Sequence, residues 1–95
     1  MPTVEEFSKR WIKEFVEQGR NAYGVRLARQ RLKDHSIPVI GSHRLDRLKI
    51  SHLRELRSSL EAKDLSAGSV RHILGDIRTM LRYAMDCGLL AQSPW

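Results

Sequence analysis

The sequence predicts an all-α domain built from four helices. Four separate stretches carry apolar residues at intervals of three and four, which is the spacing of a helix with one buried face. No two alternating apolar segments are joined by a hairpin turn, so a β-sheet is not expected. A chain of 95 residues has room for one small domain with a modest core. We therefore expect a compact four-helix bundle over residues 1–95.

The first predicted helix begins after Thr3, which is followed three residues later by Glu6 in the arrangement of a capping box. Its wide apolar face is formed by Val4, Phe7, Trp11 and Phe15, with Ile12 and Val16 alongside. Gly19 follows about four turns later and is expected to end the helix. The spacing places Trp11 in the core.

The second predicted helix covers residues 23–33 and lies in the most basic part of the chain. Its apolar positions are Val25, Ala28 and Leu32. Pro38 and Gly41 come next, and both residue types interrupt helices. We therefore expect residues 36–50 to form a loop held to the core by its apolar side chains.

The third predicted helix begins at Ser51, a good N-cap residue, and ends near Lys63. Its narrow apolar stripe consists of Leu53, Leu56 and Leu60. The fourth helix is capped by Ser66, is ended by Gly88 and has the clearest helical period in the chain. Its apolar positions are Val70, Ile73, Leu74, Ile77, Leu81 and Ala84.

Positive charge is concentrated in one segment. The chain has a formal net charge of +6, and residues 20–49 alone carry eight Lys and Arg against two Asp. A concentrated positive field attracts a polyanion, and for a soluble domain nucleic acid is the usual one. The candidate DNA-binding residues in and beside the second helix are Arg20, Arg26, Arg29, Arg31 and Lys33.

The start of the fourth helix is the second candidate DNA-binding element. A helix N-terminus offers free N–H groups and a partial positive charge to phosphates. Ser66 and Ser69 are short side chains suited to backbone contact, and Arg71 and His72 are long enough to reach a base edge. Ser66 also has a structural interpretation, as the cap of the helix.

Motifs for catalysis, metal binding and membrane insertion are absent. The sequence contains no nucleophile elbow, no HExxH pair and no glycine-rich phosphate loop, so we expect no active site and no cofactor in this chain. One cysteine and four scattered histidines match no zinc-ligand spacing and allow no internal disulfide. No apolar run has membrane-spanning length, and the acidic N-terminus lacks a signal region. A cytoplasmic protein is expected.

The chain resembles the N-terminal core-binding, or SAM-like, domain of phage-type integrases, the tyrosine recombinases. The matching features, in order, are His35, Pro38 and Gly41; Leu48 and Ser51; Leu65-Ser66; and Tyr83-Ala84, Gly88 and Ser93-Pro94. The opening segment also looks like the family's first helix, so the resemblance covers nearly the whole chain. It implies a SAM-like four-helix fold.

The resemblance also implies a function. In the family this domain is one half of a C-shaped clamp around the recombination core site, and a separate C-terminal domain carries the catalytic residues. The contacts carried over by position are Ser69, Arg71 and His72 on the fourth helix, and Tyr23, Arg26 and Arg29 around the second. Gly68 and Gly24 depart from the family pattern, which has a larger polar residue and a capping Thr there.

The implied partners are double-stranded DNA, the catalytic domain of the same polypeptide and other recombinase protomers in a synaptic complex. Residues 90–95 would begin the linker to the catalytic domain, and the isolated domain is expected to be a monomer. This fragment itself would not be an enzyme.

Two other functions stay open on the residues alone. A stand-alone helix-turn-helix regulator needs a turn of three or four residues between two helices, and only the link from Lys63 to Ser66 is short enough. Such a regulator is expected to form a stable dimer. A helical protein-interaction domain is the other possibility, and it would bind DNA no more tightly than an unrelated polyanion.

Overall fold

Four helices and no β-strand make up the chain in a computed structural model that describes all 95 residues. The helices are α1 (residues 4–19), α2 (residues 22–40), α3 (Ile50–Ala62) and α4 (Ala67–Asp86). A short 3₁₀ turn at Leu45–Arg47 lies in the connection between α2 and α3. The expected all-α fold with four helices is confirmed.

α1 begins with the predicted capping box. The Thr3 hydroxyl accepts from the Glu6 N–H at 3.1 Å, and the Glu6 carboxylate accepts from the Thr3 N–H at 2.9 Å. The pKa of Glu6 is lowered, mainly because the charged carboxylate accepts the hydrogen bond from the Thr3 N–H. Two amides at the start of the helix are thereby satisfied.

A π-helical turn at Ile12–Val16 divides α1 and changes which residues face the core. Such a turn inserts one extra residue into the helix, so the face is continued at i+5 instead of i+4. Val16 is fully buried, whereas Phe15 is 41% exposed and its ring stacks nearly parallel to that of Trp11, with 6.2 Å between the ring centroids. The expectation that Phe15 belongs to the buried face is therefore wrong.

α2 is longer than the sequence pattern indicates. Asn21 caps it by accepting from the Gly24 N–H at 2.8 Å, and the helix continues through a π-helical turn, Leu32–Ser36, to Ile40. The expected loop is therefore wrong for residues 36–40. Pro38 cannot donate to a carbonyl one turn earlier, and the wider π turn accommodates its ring without ending the helix.

The segment after Gly41 anchors the N-terminus. Carbonyl oxygens of Gly41 and His43 accept from the N–H groups of Glu5 and Val4 at 3.0 and 2.9 Å, and the Leu45 N–H donates to the Pro2 carbonyl at 2.9 Å. The loop therefore satisfies amides that the first turn of α1 leaves without helical partners.

The sequence predicts the N-cap of α4 correctly but not that of α3. Lys49, not Ser51, is the N-cap position of α3, and its N–H donates to Nδ1 of His52 at 3.0 Å. Ser66 caps α4 as expected, accepting from the Ser69 N–H at 3.1 Å. Gly88 has a φ of 78° and ends α4 in a left-handed residue.

The core draws residues from all four helices and the connection after α2. Its fully or nearly buried members are Val4, Phe7, Trp11, Ile12, Val16, Ala28, Leu32, Ile40, Leu45, Leu48, Leu53, Leu56, Leu60, Ile73, Ile77, Met80, Leu81 and Ala84. The predicted apolar stripe of α3 is buried completely. None of the helices has the length and apolar character needed to cross a bilayer.

Candidate nucleic-acid interface

A surface groove runs between α2 and the N-terminal half of α4, and we call it the α2–α4 groove. Its first part is lined by Arg20, Gly24, Leu27, Arg31, Arg71, His72, Gly75, Asp76 and Thr79. Its second part shares Leu27, Arg31 and His72 with the first and adds Gln30, Asp34, His35, Leu65, Ser69 and Ile73. The groove therefore unites the two elements that the sequence singles out for DNA binding.

Helical periodicity determines which side chains enter the groove. On α2, Gly24, Leu27 and Arg31 follow one another at intervals of three and four residues and so share one face. On α4, His72 and Asp76 lie one turn apart on the facing side. Arg29 and Lys33 lie two positions before and after Arg31, so they point away from the groove. The basic residues of α2 are therefore divided between two faces.

Asp76 is a buried carboxylate at the floor of the groove, and two arginines bind it. Nε of Arg31 donates to Oδ2 at 2.6 Å, and Nη2 donates to Oδ1 at 3.2 Å. Nη1 of Arg20 lies 3.8 Å from Oδ1. The Asp76 side chain is 5% exposed, that of Arg31 22% and that of Arg20 34%. Arg31 is therefore committed to a partner inside the protein, whereas Arg20 keeps its donors at the mouth of the groove.

Arg71 and His72 are exposed at the wall formed by α4. Neither side chain takes part in the ion pairs of the protein. Long side chains without an internal partner keep their hydrogen-bonding groups for a ligand. These two residues therefore meet the condition for direct contact with a base or a phosphate.

The serines at the start of α4 are partly occupied by each other. The Ser66 hydroxyl accepts from the Ser69 N–H and donates to the Ser69 hydroxyl at 3.0 Å. The structural interpretation of Ser66 as a cap is confirmed. Ser69 still has hydrogen-bonding capacity on its hydroxyl, and it lines the groove.

Arg29 and Lys33 lie on a different face of α2. Both line a cleft toward α1, beside Lys9, and neither lines the α2–α4 groove. Nη2 of Arg29 donates to the Glu17 carboxylate at 2.8 Å. The structure thus does not bring these two predicted residues together with Arg71.

Tyr23 and Arg26 lie in the first two turns of α2. Tyr23 is 61% exposed, and Cζ of Arg26 lies 5.5 Å from the centroid of its ring. Arg26 lines a shallow depression together with Arg20 and Arg29. Because Arg20 also lines the α2–α4 groove, Tyr23 and Arg26 lie beside one end of that groove.

The remaining titratable cluster is on another face. The Tyr83 hydroxyl donates to Oε1 of Glu14 at 2.6 Å, and Nε of Arg10 donates to the same oxygen at 2.9 Å. The hydrogen bond to Glu14 raises the pKa of Tyr83 above its ordinary value, with desolvation adding to it. The hydrogen bonds from Tyr83 and Arg10 lower the pKa of Glu14. No group of three His, Cys, Asp or Glu side chains is placed to hold a metal ion.

Sequence reasoning missed Asp76 and Thr79. Asp76 stands between Ile73 and Ile77 on the most apolar helix of the chain, and a carboxylate in such a position is almost never buried unless it is paired. The position of Asp76 between two apolar residues was therefore the sequence signal for a buried carboxylate with a partner. No sequence pattern indicated that Thr79 lines the groove. In the structure its hydroxyl donates to the Gly75 carbonyl of the same helix at 2.9 Å.

Solved structures from two bacteria share this fold. A solution NMR structure of an integrase-like domain from Bacillus cereus matches with a TM-score of 0.90 and 22% identity, over 97% of this chain and 77% of that one. A solution NMR structure of a phage integrase SAM-like domain from Moorella thermoacetica matches with a TM-score of 0.81 and 28% identity, over 99% of this chain and 80% of that one.

No protein-family profile and no curated protein matches the sequence. The fold is that of the integrase SAM-like domains. This likeness confirms the SAM-like fold and the resemblance on which the sequence-based expectation rested.

Proposed function

We propose that this chain is a non-catalytic DNA-binding module of a tyrosine recombinase of the phage integrase type. Its α2–α4 groove takes one side of duplex DNA, and the chemistry belongs to a separate catalytic domain. The observation that carries the proposal is the placement of Arg20, Arg71 and His72 along one groove, in a fold shared with integrase domains. Duplex DNA, the catalytic domain and neighbouring protomers are the proposed partners.

The groove residues divide into two roles. Arg20 and the first turn of α4 supply charge and amides to phosphates, which fixes the position of the duplex without reading its sequence. Arg71 and His72 supply side chains to base edges, and an arginine suits a guanine best. Arg31 is a positioning residue, because its guanidinium holds Asp76 and thereby joins α2 to α4.

Binding of a labelled duplex, followed by fluorescence anisotropy over a range of salt concentrations, tests the proposal. Two to four phosphate contacts should give a slope of about −2 to −4 in a plot of log affinity against log salt. Arg71→Ala should alter the ranking of a panel of duplexes of different sequence. An equal loss on every duplex would contradict the base-reading role of Arg71.

The same assay separates the alternative functions. Heparin that binds as tightly as the duplex would favour a protein-interaction domain. The turn between α3 and α4 is four residues long, as a helix-turn-helix requires. A stable dimer in analytical ultracentrifugation, together with a preference for palindromic duplexes, would therefore favour a regulator over the proposed function.

A further inference from the structure

A second cationic cleft lies on the other side of α4, between this helix, α3 and the C-terminal segment. It has a volume of about 680 Å³, within the range of small-molecule pockets. Its rim carries Arg57, Arg71 and Arg78, and Trp95 stands at one end. Leu74 contributes to an apolar floor. We call it the Trp95 cleft.

The charges of the Trp95 cleft are not neutralised within the protein. None of its three arginines takes part in an ion pair, and Glu61 is the one side-chain carboxylate among the lining residues. In the α2–α4 groove, by contrast, Asp76 neutralises part of the positive charge. The Trp95 cleft is therefore suited to an anion with more than one negative group.

Trp95 gives the cleft an aromatic surface. Cζ of Arg78 lies 4.8 Å from the centroid of the Trp95 ring, and the residue is 37% exposed. The Trp95 N–H donates to the Ser93 hydroxyl at 3.1 Å, which fixes the backbone beside the ring. A guanidinium thus lies against the indole, and about a third of the residue remains exposed for contact with a base.

We propose that the Trp95 cleft binds single-stranded nucleic acid, with phosphates on the three arginines and one base stacked on Trp95. A cationic track with an aromatic platform is the usual arrangement for a single strand, because an unpaired base can present its face to a ring. Bases inside a duplex stack on one another and offer no such face. Arg71 and Arg78 are seven residues apart on α4, an axial distance of about 10 Å.

The inference goes beyond the proposed function and does not require it. Arg71 and Gly75 line both the Trp95 cleft and the α2–α4 groove. A strand that leaves a bound duplex would therefore cross α4 at Arg71. The cleft would also bind a free single strand if the groove bound no duplex at all.

Binding of an oligothymidylate of about 12 nucleotides, a length typical of single-strand sites, tests this inference against a duplex of equal length. Trp95→Ala should lower the affinity for the single strand about tenfold and leave the affinity for the duplex unchanged. Trp95→Phe should restore most of the loss, because it keeps a ring. Arg82→Ala is the matched control, since Arg82 is exposed on α4 and does not line the cleft.

In nuclear magnetic resonance spectra of the wild-type chain, the indole N–H of Trp95 should shift with the oligothymidylate, whereas that of the buried Trp11 should not. An equal loss for both nucleic acids in Trp95→Ala would make the cleft part of a duplex surface and overturn the inference. A Trp95→Ala variant that binds the single strand like wild type would also overturn the inference. Displacement of the oligothymidylate by a polyglutamate peptide of equal charge would overturn it too. Single-strand binding without duplex binding would support the inference and contradict the proposed function, so the two remain separable.

Discussion

Arg31 and Asp76 are joined by two hydrogen bonds across the α2–α4 groove, with the shorter one, from Nε to Oδ2, at 2.6 Å. The residues are 45 positions apart in the chain, so this contact fixes the relative position of two helices. Arg20 approaches the same carboxylate at 3.8 Å. One buried acid therefore holds the groove together and orients the arginine at its mouth.

Replacing Asp76 should destabilise the fold. Asp76→Ala leaves the partly buried guanidinium of Arg31 without its partner, and the expected loss in the free energy of unfolding is about 2 kcal/mol. For a domain of this size that corresponds to a decrease in Tm of about 10 °C. Thermal unfolding followed by circular dichroism measures it.

Glu17→Gln is the matched control for this prediction. It breaks the ion pair with Arg29, whose side chain is 61% exposed, and surface pairs contribute less than about 1 kcal/mol. Equal destabilisation by the two variants would show that the pair with Asp76 has no special structural role.

Gly41→Ala should also destabilise the protein. A Cβ atom at Gly41 would lie 2.6 Å from the Ile37 carbonyl oxygen and 2.7 Å from Ile37 Cγ2. The backbone must move to relieve this overlap, at a cost of about 1–3 kcal/mol. Urea unfolding gives the difference in free energy.

Gly75→Ala provides the opposite case in the same assay. A Cβ atom at Gly75 meets no atom within 4 Å, and the residue is inside α4, where alanine is favoured over glycine by about 1 kcal/mol. This variant should be more stable than wild type. Destabilisation of similar size in both variants would contradict the argument from close approach.

The hydrogen bond between Tyr83 and Glu14 predicts how stability depends on pH. The raised pKa of Tyr83 means that its contribution is complete below about pH 10, the ordinary phenol value, and is lost at higher pH. The lowered pKa of Glu14 means that its contribution is complete above about pH 4.5 and is lost as the pH falls below that value. The difference in unfolding free energy between wild type and Tyr83→Phe should therefore be largest between these limits. A difference that is constant from acid to alkaline pH would contradict this assignment.

The groove side and the α1-facing side of the basic segment should respond differently when charge is removed, and Arg20, just before α2, represents the groove side. Arg20→Ala should weaken binding to every duplex and reduce the salt slope by about 1, because one phosphate contact is lost. Lys33→Ala removes the same charge from the face toward α1 and should leave duplex affinity unchanged. Anisotropy titrations at matched salt compare them, and equal losses would show that net charge alone governs binding.

Periodicity and capping rules predicted most of the fold. The capping box at Thr3, the Ser66 cap, the Gly88 terminus and the stripe of leucines on α3 all depend on contacts within a few residues. The π-helical turns in α1 and α2 could not be predicted in this way. Each changes the register by one residue, and the choice between Phe15 and Val16 is made by packing against other helices. The π-helical turn in α2 also allows Pro38 to lie inside a helix, which residue-type rules for proline do not predict.

The candidate site was predicted only in part. Charge clustering indicated the correct helices, and the groove does bring Arg20 together with Arg71 and His72. Charge clustering alone does not identify a helix face, so the prediction grouped Arg29 and Lys33 with Arg71 and His72, from which the structure separates them. The pairing of Arg31 with Asp76 spans two distant segments, and no local pattern reports such a contact.

Chemical-shift mapping of the whole chain with a short duplex tests the central claim most directly. The account predicts that amide signals at the start of α4, from Ser66 to His72, and around Arg20 and Leu27 shift on binding. Signals of the acidic α1 and of the cleft that contains Lys9 and Lys33 should remain in place. Shifts confined to α1 or to that cleft, or no shifts at any amide, would contradict the account.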